Sequence, residues 1–132
     1  LFMGTQSHQK PIKHQAKIVV NSAKVDQLRT FMLEQKPYLD YNLSLEKLAS
    51  LVEKDEKELS LIINQNIGKH FFDFINEYRV NEAKKLLENP ESKKLTVLEI
   101  LYQVGFNSKS SFYTAFKKET GQTPLNYRKS TS

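Results

Sequence analysis

The sequence predicts an all-α fold of about seven helices, built as two helix-turn-helix units on either side of one long helix. Three observations carry that expectation. Apolar residues recur at i, i+3, i+4 and i+7 in one segment after another, and no segment alternates as a strand would. Residues 45–52, LEKLASLV, repeat the design of residues 97–104, VLEILYQV, with Leu45, Leu48, Ala49 and Val52 matching Val97, Ile100, Leu101 and Val104 at an offset of 52. Between the copies, residues 71–87 carry apolar side chains over an arc too broad for one neighbour, as a helix serving two units must.

Taken in order, residues 1–22 have no sustained period and do not begin on Met, and they read as a flexible basic linker or the boundary of a fragment. Lys10, Lys13, Lys17 and Lys24 fit a solvated tether better than a phosphate contact. The first unit spans 23–69. Its opening helix places Val25, Leu28, Phe31, Met32 and Gln35 on one stripe, which reads as packing surface, and Pro37 stops it by removing an N–H and restricting the residue before it. Tyr38, Leu39 and Tyr41 form an apolar bridge to Ser44, the N-cap of the helix over 45–52. Glu53 and Lys54 make the turn. Asp55 with Glu58 three residues on reads as a capping box, and Leu59, Ile62, Ile63 and Asn66 form the inner face of a helix that Gly68 ends.

The linker helix, within 70–89, places Phe71, Phe72, Phe74, Ile75, Tyr78, Ala83, Leu86 and Leu87 on its broad arc and stops at Asn89 and Pro90. The second unit spans 90–130. Thr96 with Glu99 is a capping box. Gly105 reads as a left-handed stop, since it has no Cβ to clash, and Phe106 can close back over the helix end. Asn107 or Ser108 caps a helix to about Thr120 with Phe112, Ala115, Phe116 and Glu119 inward. Thr123 and Pro124 then start a last short helix through Tyr127 and Arg128.

With 132 residues, 39% hydrophobic and 27% charged, the chain has room for one or two small folded domains. It has no cysteine, so a disulfide framework and a thiolate metal site are excluded, and His8, His14 and His70 are too few and scattered for a metal centre. No apolar run is long enough to span a membrane, and no signal peptide pattern is present. No nucleophile has a base placed beside it, and no glycine loop suits a phosphate-binding strand-to-helix turn, so neither an enzyme nor a cofactor is expected. The net charge of +5 is unevenly spread: residues 1–37 and 89–132 are basic, while 38–69 hold four basic against six acidic residues. Such a pattern suits a polyanion contacted mainly by the C-terminal half.

A helix held away from the body by its neighbour can enter a DNA major groove about 12 Å wide and donate to base edges. The helix after Gly105 shows Lys109, Ser110, Tyr113, Thr114 and Lys117 outward, short donors mixed with amines. Its counterpart in the first unit shows Lys57, Glu58, Ser60, Leu61, Asn64 and Gln65. Glu58 can accept from a cytosine amine, and Asn64 or Gln65 can pair with adenine, but Asp55, Glu56 and Glu58 together repel phosphate. The second helix is therefore expected to supply more of the affinity. Lys54, Thr96, Lys109, Lys117 and Lys118 are the expected phosphate contacts, and double-stranded DNA is the expected partner.

From about Pro37 to Ser130 the chain resembles the DNA-binding domain of the AraC/XylS family of bacterial transcription regulators. The resemblance rests on Ile100, on Val104, Gly105 and Phe106, on Ser110, Phe112, Phe116, Lys117 and Lys118, and on Gly121, Pro124, Tyr127 and Arg128. In the linker helix it rests on Tyr78, Arg79, Ala83, Leu86 and Leu87. It implies a homeodomain-like pair of helix-turn-helix motifs, base reading by Lys57, Ser60 and Leu61 in the first and by Ser110, Ser111, Tyr113 and Thr114 in the second, and control of promoters. The sequence is also similar to output domains of membrane-bound sensors in Bacteroidetes-type bacteria. That likeness implies a cytoplasmic DNA-binding end of an anchored protein whose N-terminal sensor domain lies outside this sequence. Two residues depart from the family. Leu61 stands where a long polar side chain is common, which leaves contact with a thymine methyl, and Leu101 stands where alanine is usual, at an expected cost of about 1–3 kcal/mol unless the neighbours adjust. Arg79 receives no reading role. The competing reading is a protein-interaction module, in which the acidic first unit contacts RNA polymerase or the sensor with little base reading.

Overall fold

Each helix of the fold starts or stops where a short-range chemical signal stands. The computed structural model describes residues 22–131. The predicted linker, with Lys10, Lys13 and Lys17, lies outside the described residues. Helix α1 covers 22–35. It is followed by a 3-10 turn, Pro37–Leu39, then α2 (Leu45–Leu51) and α3 (Glu56–Leu61), which continues as a π-helical segment, Ile62–Ile67. The long α4 (Phe71–Glu88), a second 3-10 turn (Pro90–Ser92), α5 (Val97–Gln103), α6 (Lys109–Thr120) and α7 (Pro124–Thr131) complete the chain.

The caps form as local chemistry dictates. Ser44 Oγ accepts from the Lys47 amide at 3.1 Å, and Ser108 Oγ accepts from the Ser111 amide at 3.1 Å. Thr96 and Glu99 make the full reciprocal box, each satisfying a backbone donor of the other's position. Thr123 Oγ1 takes the Asn126 amide ahead of α7. The expected box at Asp55 and Glu58 does not form: Asp55 makes no side-chain cap, and Glu58 accepts from Lys24 of α1 at 2.7 Å with Lys54 at 3.9 Å. A cation 34 residues away outcompetes an amide three residues away because it offers a full charge.

The stop after α5 satisfies two otherwise orphaned carbonyls. The Phe106 amide donates to Leu101 at 2.9 Å and the Gly105 amide to Tyr102 at 3.2 Å, with Gly105 at φ +103°. The stop after α2 has the same pair of bonds, Lys54 to Ala49 and Glu53 to Ser50, but here a non-glycine residue, Glu53, takes φ +56°.

Two apolar clusters result, and α4 supplies both. Its first half gives Phe74, Ile75 and Tyr78 to a core with Leu28, Met32, Leu48, Leu59 and Ile63. Its second half gives Val80, Ala83 and Leu87 to a core with Ile100, Leu101, Phe112 and Phe116. One helix thus contributes to both cores and joins the two units. Leu101 is fully buried there, so its neighbours accommodate the larger side chain. Four expected inward residues are exposed instead: Gln35, Asn66, Phe72 and Glu119. For Asn66 the reason is the wider π-helical turn, which advances each residue through a smaller angle and brings Ile67 against the core in its place.

The units also close in the same way, through a Tyr and Arg pair that periodicity does not single out. In the first, Arg79 donates from Nε to the Tyr38 carbonyl at 2.7 Å and from Nη2 to the Asp40 carbonyl at 3.0 Å. In the second, Arg128 donates from Nη1 to the Leu95 carbonyl at 2.7 Å and from Nη2 to Ser92 at 3.3 Å. Tyr78 meets the Phe74 ring edge-on at 5.3 Å, and Tyr127 meets Phe116 at 5.4 Å. Each arginine ties the helix that follows its helix-turn-helix to the segment just before that motif.

Candidate nucleic-acid interface

Phe112 and Phe116 fix the orientation of α6, since both are fully buried and their rings pack 5.5 Å apart. Helical geometry then sends the opposite face outward. Lys109, Ser110, Ser111, Thr114, Lys117 and Lys118 are exposed on α6. Tyr113 is half-buried: its ring contacts Phe112 edge-on at 6.1 Å, and the Lys109 amine lies 5.4 Å from the ring centre. The tyrosine is thus a partly anchored platform rather than a free finger. Ser111 also serves its own helix start, accepting from the Ser108 hydroxyl at 2.9 Å. Lys117 and Lys118 sit in the last turn, where cations oppose the negative end of the helix dipole.

The corresponding face of α3 is less free. Lys57 and Leu61 are exposed, the leucine at 52%. Ser60 and Asn64 engage each other, Asn64 Nδ2 donating to Ser60 Oγ at 3.1 Å, so either must break that bond or use its remaining hydrogen-bonding capacity to meet a base. Glu58 is drawn toward α1 by Lys24. Its hydrogen bond from Lys24, with the Lys54 charge beside it, holds its carboxyl below the ordinary 4.5. Because the folded value is the lower one, the pair favours the folded state above 4.5 and is lost as pH falls through the depressed value. In Lys24→Met, an NMR titration of Glu58 is expected to move up toward 4.5, with part of the depression kept by Lys54; an unchanged titration would exclude Lys24 as the main cause.

Of the remaining expected phosphate contacts, Lys54 is half-buried beside Glu58, and Thr96 is exposed but gives its hydroxyl to the capping box, donating to Glu99 Oε1 at 3.0 Å. Lys118 reaches across to α4 and donates to Asp73 Oδ1 at 3.2 Å. Asp73 escaped the sequence reading because 45 positions separate it from Lys118 and nothing local marks it. The two reading helices border one surface: a groove beside the first turn of α4 is lined by Asn64 and Gly68 at one end and by Ser110 and Thr114 at the other. The charges that border this groove are Lys69, Asp73, Lys118 and Glu119, with Lys69 paired to Glu77.

The model of a family described as a helix-turn-helix domain matches residues 48–130. An HTH-type transcriptional regulator of Bacillus subtilis, YdeC, is 33% identical over 90 residues, which cover 68% of this chain and 30% of that protein. The chain spans between 15% and 30% of the length of the curated relatives it matches first. Among solved structures, the C-terminal domain of AraT, a response regulator from Geobacillus stearothermophilus, is 32% identical with a TM-score of 0.67, covering 80% of this chain and 84% of that one. An AraC-type DNA-binding domain protein from Chromobacterium violaceum shares the fold at 21% identity and a TM-score of 0.68, over 83% and 96% of the two chains.

Proposed function

The chain belongs to the helix-turn-helix domain family, in its AraC type, a DNA-binding and not a catalytic fold, and from that premise we propose that it reads specific double-stranded sequences at promoters through α6 and α3. The observation that carries this reading is the outer face of α6, where Ser110, Thr114 and Lys117 stand exposed over a face backed by buried Phe112 and Phe116. The two helices enter major-groove segments about one turn, roughly 34 Å, apart. Ser110, Ser111, Tyr113 and Thr114 meet bases from α6, with Lys57, Ser60, Leu61 and Asn64 adding a lesser share from α3. Lys109 and Lys117 hold phosphates, joined by Lys118, Lys54 and the exposed Thr96 end of α5. Within a longer regulator this domain acts in the cytoplasm, under a sensor in another part of the protein. No helix among the described residues is long and apolar enough to cross a membrane.

Anisotropy titrations over promoter fragments at about 0.15 M salt test the reading. Thr114→Ala is expected to cost about 1–3 kcal/mol of discrimination at one base pair, whereas Lys117→Gln should weaken binding to every duplex and reduce the salt slope by about 0.9. Equal affinity for all fragments would sink specific reading. Lys117→Gln with wild-type affinity and slope would show that this face does not meet DNA.

A second role for the first unit is favoured by Leu61, 52% exposed on the helix whose start carries the exposed acidic residues Asp55 and Glu56. An exposed apolar side chain in a segment, 38–69, that carries six acidic against four basic residues suits a basic protein surface, such as one on RNA polymerase or the sensor, better than phosphate. Substituting Asp55, Glu56 and Leu61 together should then leave DNA binding intact and abolish promoter activation.

A further inference from the structure

The groove between the reading helices consists of two adjoining recesses of about 360 Å³ each, and Asp73, Lys118 and Glu119 line both. A nucleic-acid strand passing from the major-groove segment under α3 to the one under α6 brings its phosphates to this place. Lys118 is the cation best placed to meet them, yet it is already held by Asp73 at 3.2 Å. The two side chains are 65% and 46% exposed, so solvent screens the pair and a phosphate can displace it. Displacement leaves the Asp73 carboxylate facing the strand.

We propose that Asp73 is an affinity-setting residue, which occupies Lys118 and lowers binding to all DNA sequences alike. This rests on the DNA-binding reading above. Asp73 projects from the first turn of α4, the helix common to both units, and the side chain it engages is Lys118, a phosphate contact and not a base-reading residue. Its effect is therefore independent of the bases under α3 and α6. The neighbouring cation, Lys69, is itself engaged by Glu77, so removing the Asp73 charge frees Lys118 specifically. Glu119 remains in place in every variant considered.

The test titrates the chain against a promoter fragment and a random duplex at several salt concentrations. Asp73→Asn is expected to raise both affinities by the same factor, about three- to tenfold near 0.1 M salt, and to steepen the slope of log K against log salt by about 0.9, the contribution of one further neutralised phosphate. Asp73→Glu, which keeps the charge, should behave as the wild type. In a Lys118→Gln background, Asp73→Asn should leave the slope unchanged. If the wild type binds DNA but Asp73→Asn alters neither affinity nor slope, the proposal falls while the DNA-binding reading stands. It falls equally if the steepening persists without Lys118. If the wild type binds neither duplex, both readings fall together.

Discussion

Gly105→Ala is expected to destabilise the domain by about 2–6 kcal/mol, a large share of the stability of a marginally stable chain. Two penalties add. The residue sits at φ +103°, where a Cβ strains the backbone by about 1–3 kcal/mol. That Cβ would also lie far inside van der Waals distance of the Tyr38 carbonyl oxygen, 2.8 Å from Arg79 Nε and 3.2 Å from the Leu39 carbonyl carbon. Overpacking of this kind costs about 1–3 kcal/mol more, and the obstacle is backbone, which cannot rotate away. Gly121→Ala is the control. It has a similar positive φ of +77° but nothing within 4 Å of its Cβ, so it should lose only the conformational share. Urea denaturation of the two variants by circular dichroism separates the terms. A Gly105→Ala midpoint no lower than that of Gly121→Ala would mean that the contact with the first unit is not rigid.

The helices were legible because their signals are local. Ser44, Thr96 and Thr123 each cap a helix at the position read from sequence, and Gly105 stops α5 with the bonds its residue type predicts. What was not legible depends on partners far along the chain. The Asp55 and Glu58 box failed because Lys24, 34 positions away, takes the carboxylate. The displaced face of α3 needed knowledge of its π-helical turns, for which Ile62–Ile67 carries no distinctive residue pattern.

The candidate interface divides along the same line. The helical period is enough to turn Ser110, Thr114 and Lys117 outward once Phe112 and Phe116 are assigned to the core. The half-burial of Tyr113, the mutual engagement of Ser60 with Asn64 and the hold of Asp73 on Lys118 are rotamer facts that no spacing rule encodes. One missed feature did leave a trace. Tyr78 with Arg79 recurs as Tyr127 with Arg128, and a repeat of that rare pair beside the already visible duplication would have marked both arginines as closing devices.

Arg79→Met should both destabilise the fold and loosen the spacing of the two reading helices. The side chain is 5% exposed, and burial pulls the affinity of its guanidinium for the proton down, although it stays charged at any working pH. It donates to Tyr38 and Asp40 carbonyls of the first unit, and its guanidinium carbon lies 5.7 Å from the centre of the Phe106 ring in the turn of the second. No other described side chain combines hydrogen bonds to one unit with a ring contact to the other at this junction. Methionine fills similar volume but leaves carbonyls without their donor, at about 2–4 kcal/mol. Lysine keeps the charge but lacks the planar fork that reaches two carbonyls, so it should recover only part of the loss. The effect on DNA follows from the same geometry. With the junction intact, binding of one unit presents the other in register, as a high effective concentration does; with it loosened, that gain shrinks. A duplex carrying both half-contacts should then bind Arg79→Met at least about tenfold more weakly, while a duplex carrying only the α6 half-site binds it as it binds the wild type. Equal losses on the two duplexes, measured well below the variant's melting temperature, would mean that Arg79 supports each unit separately and does not couple them.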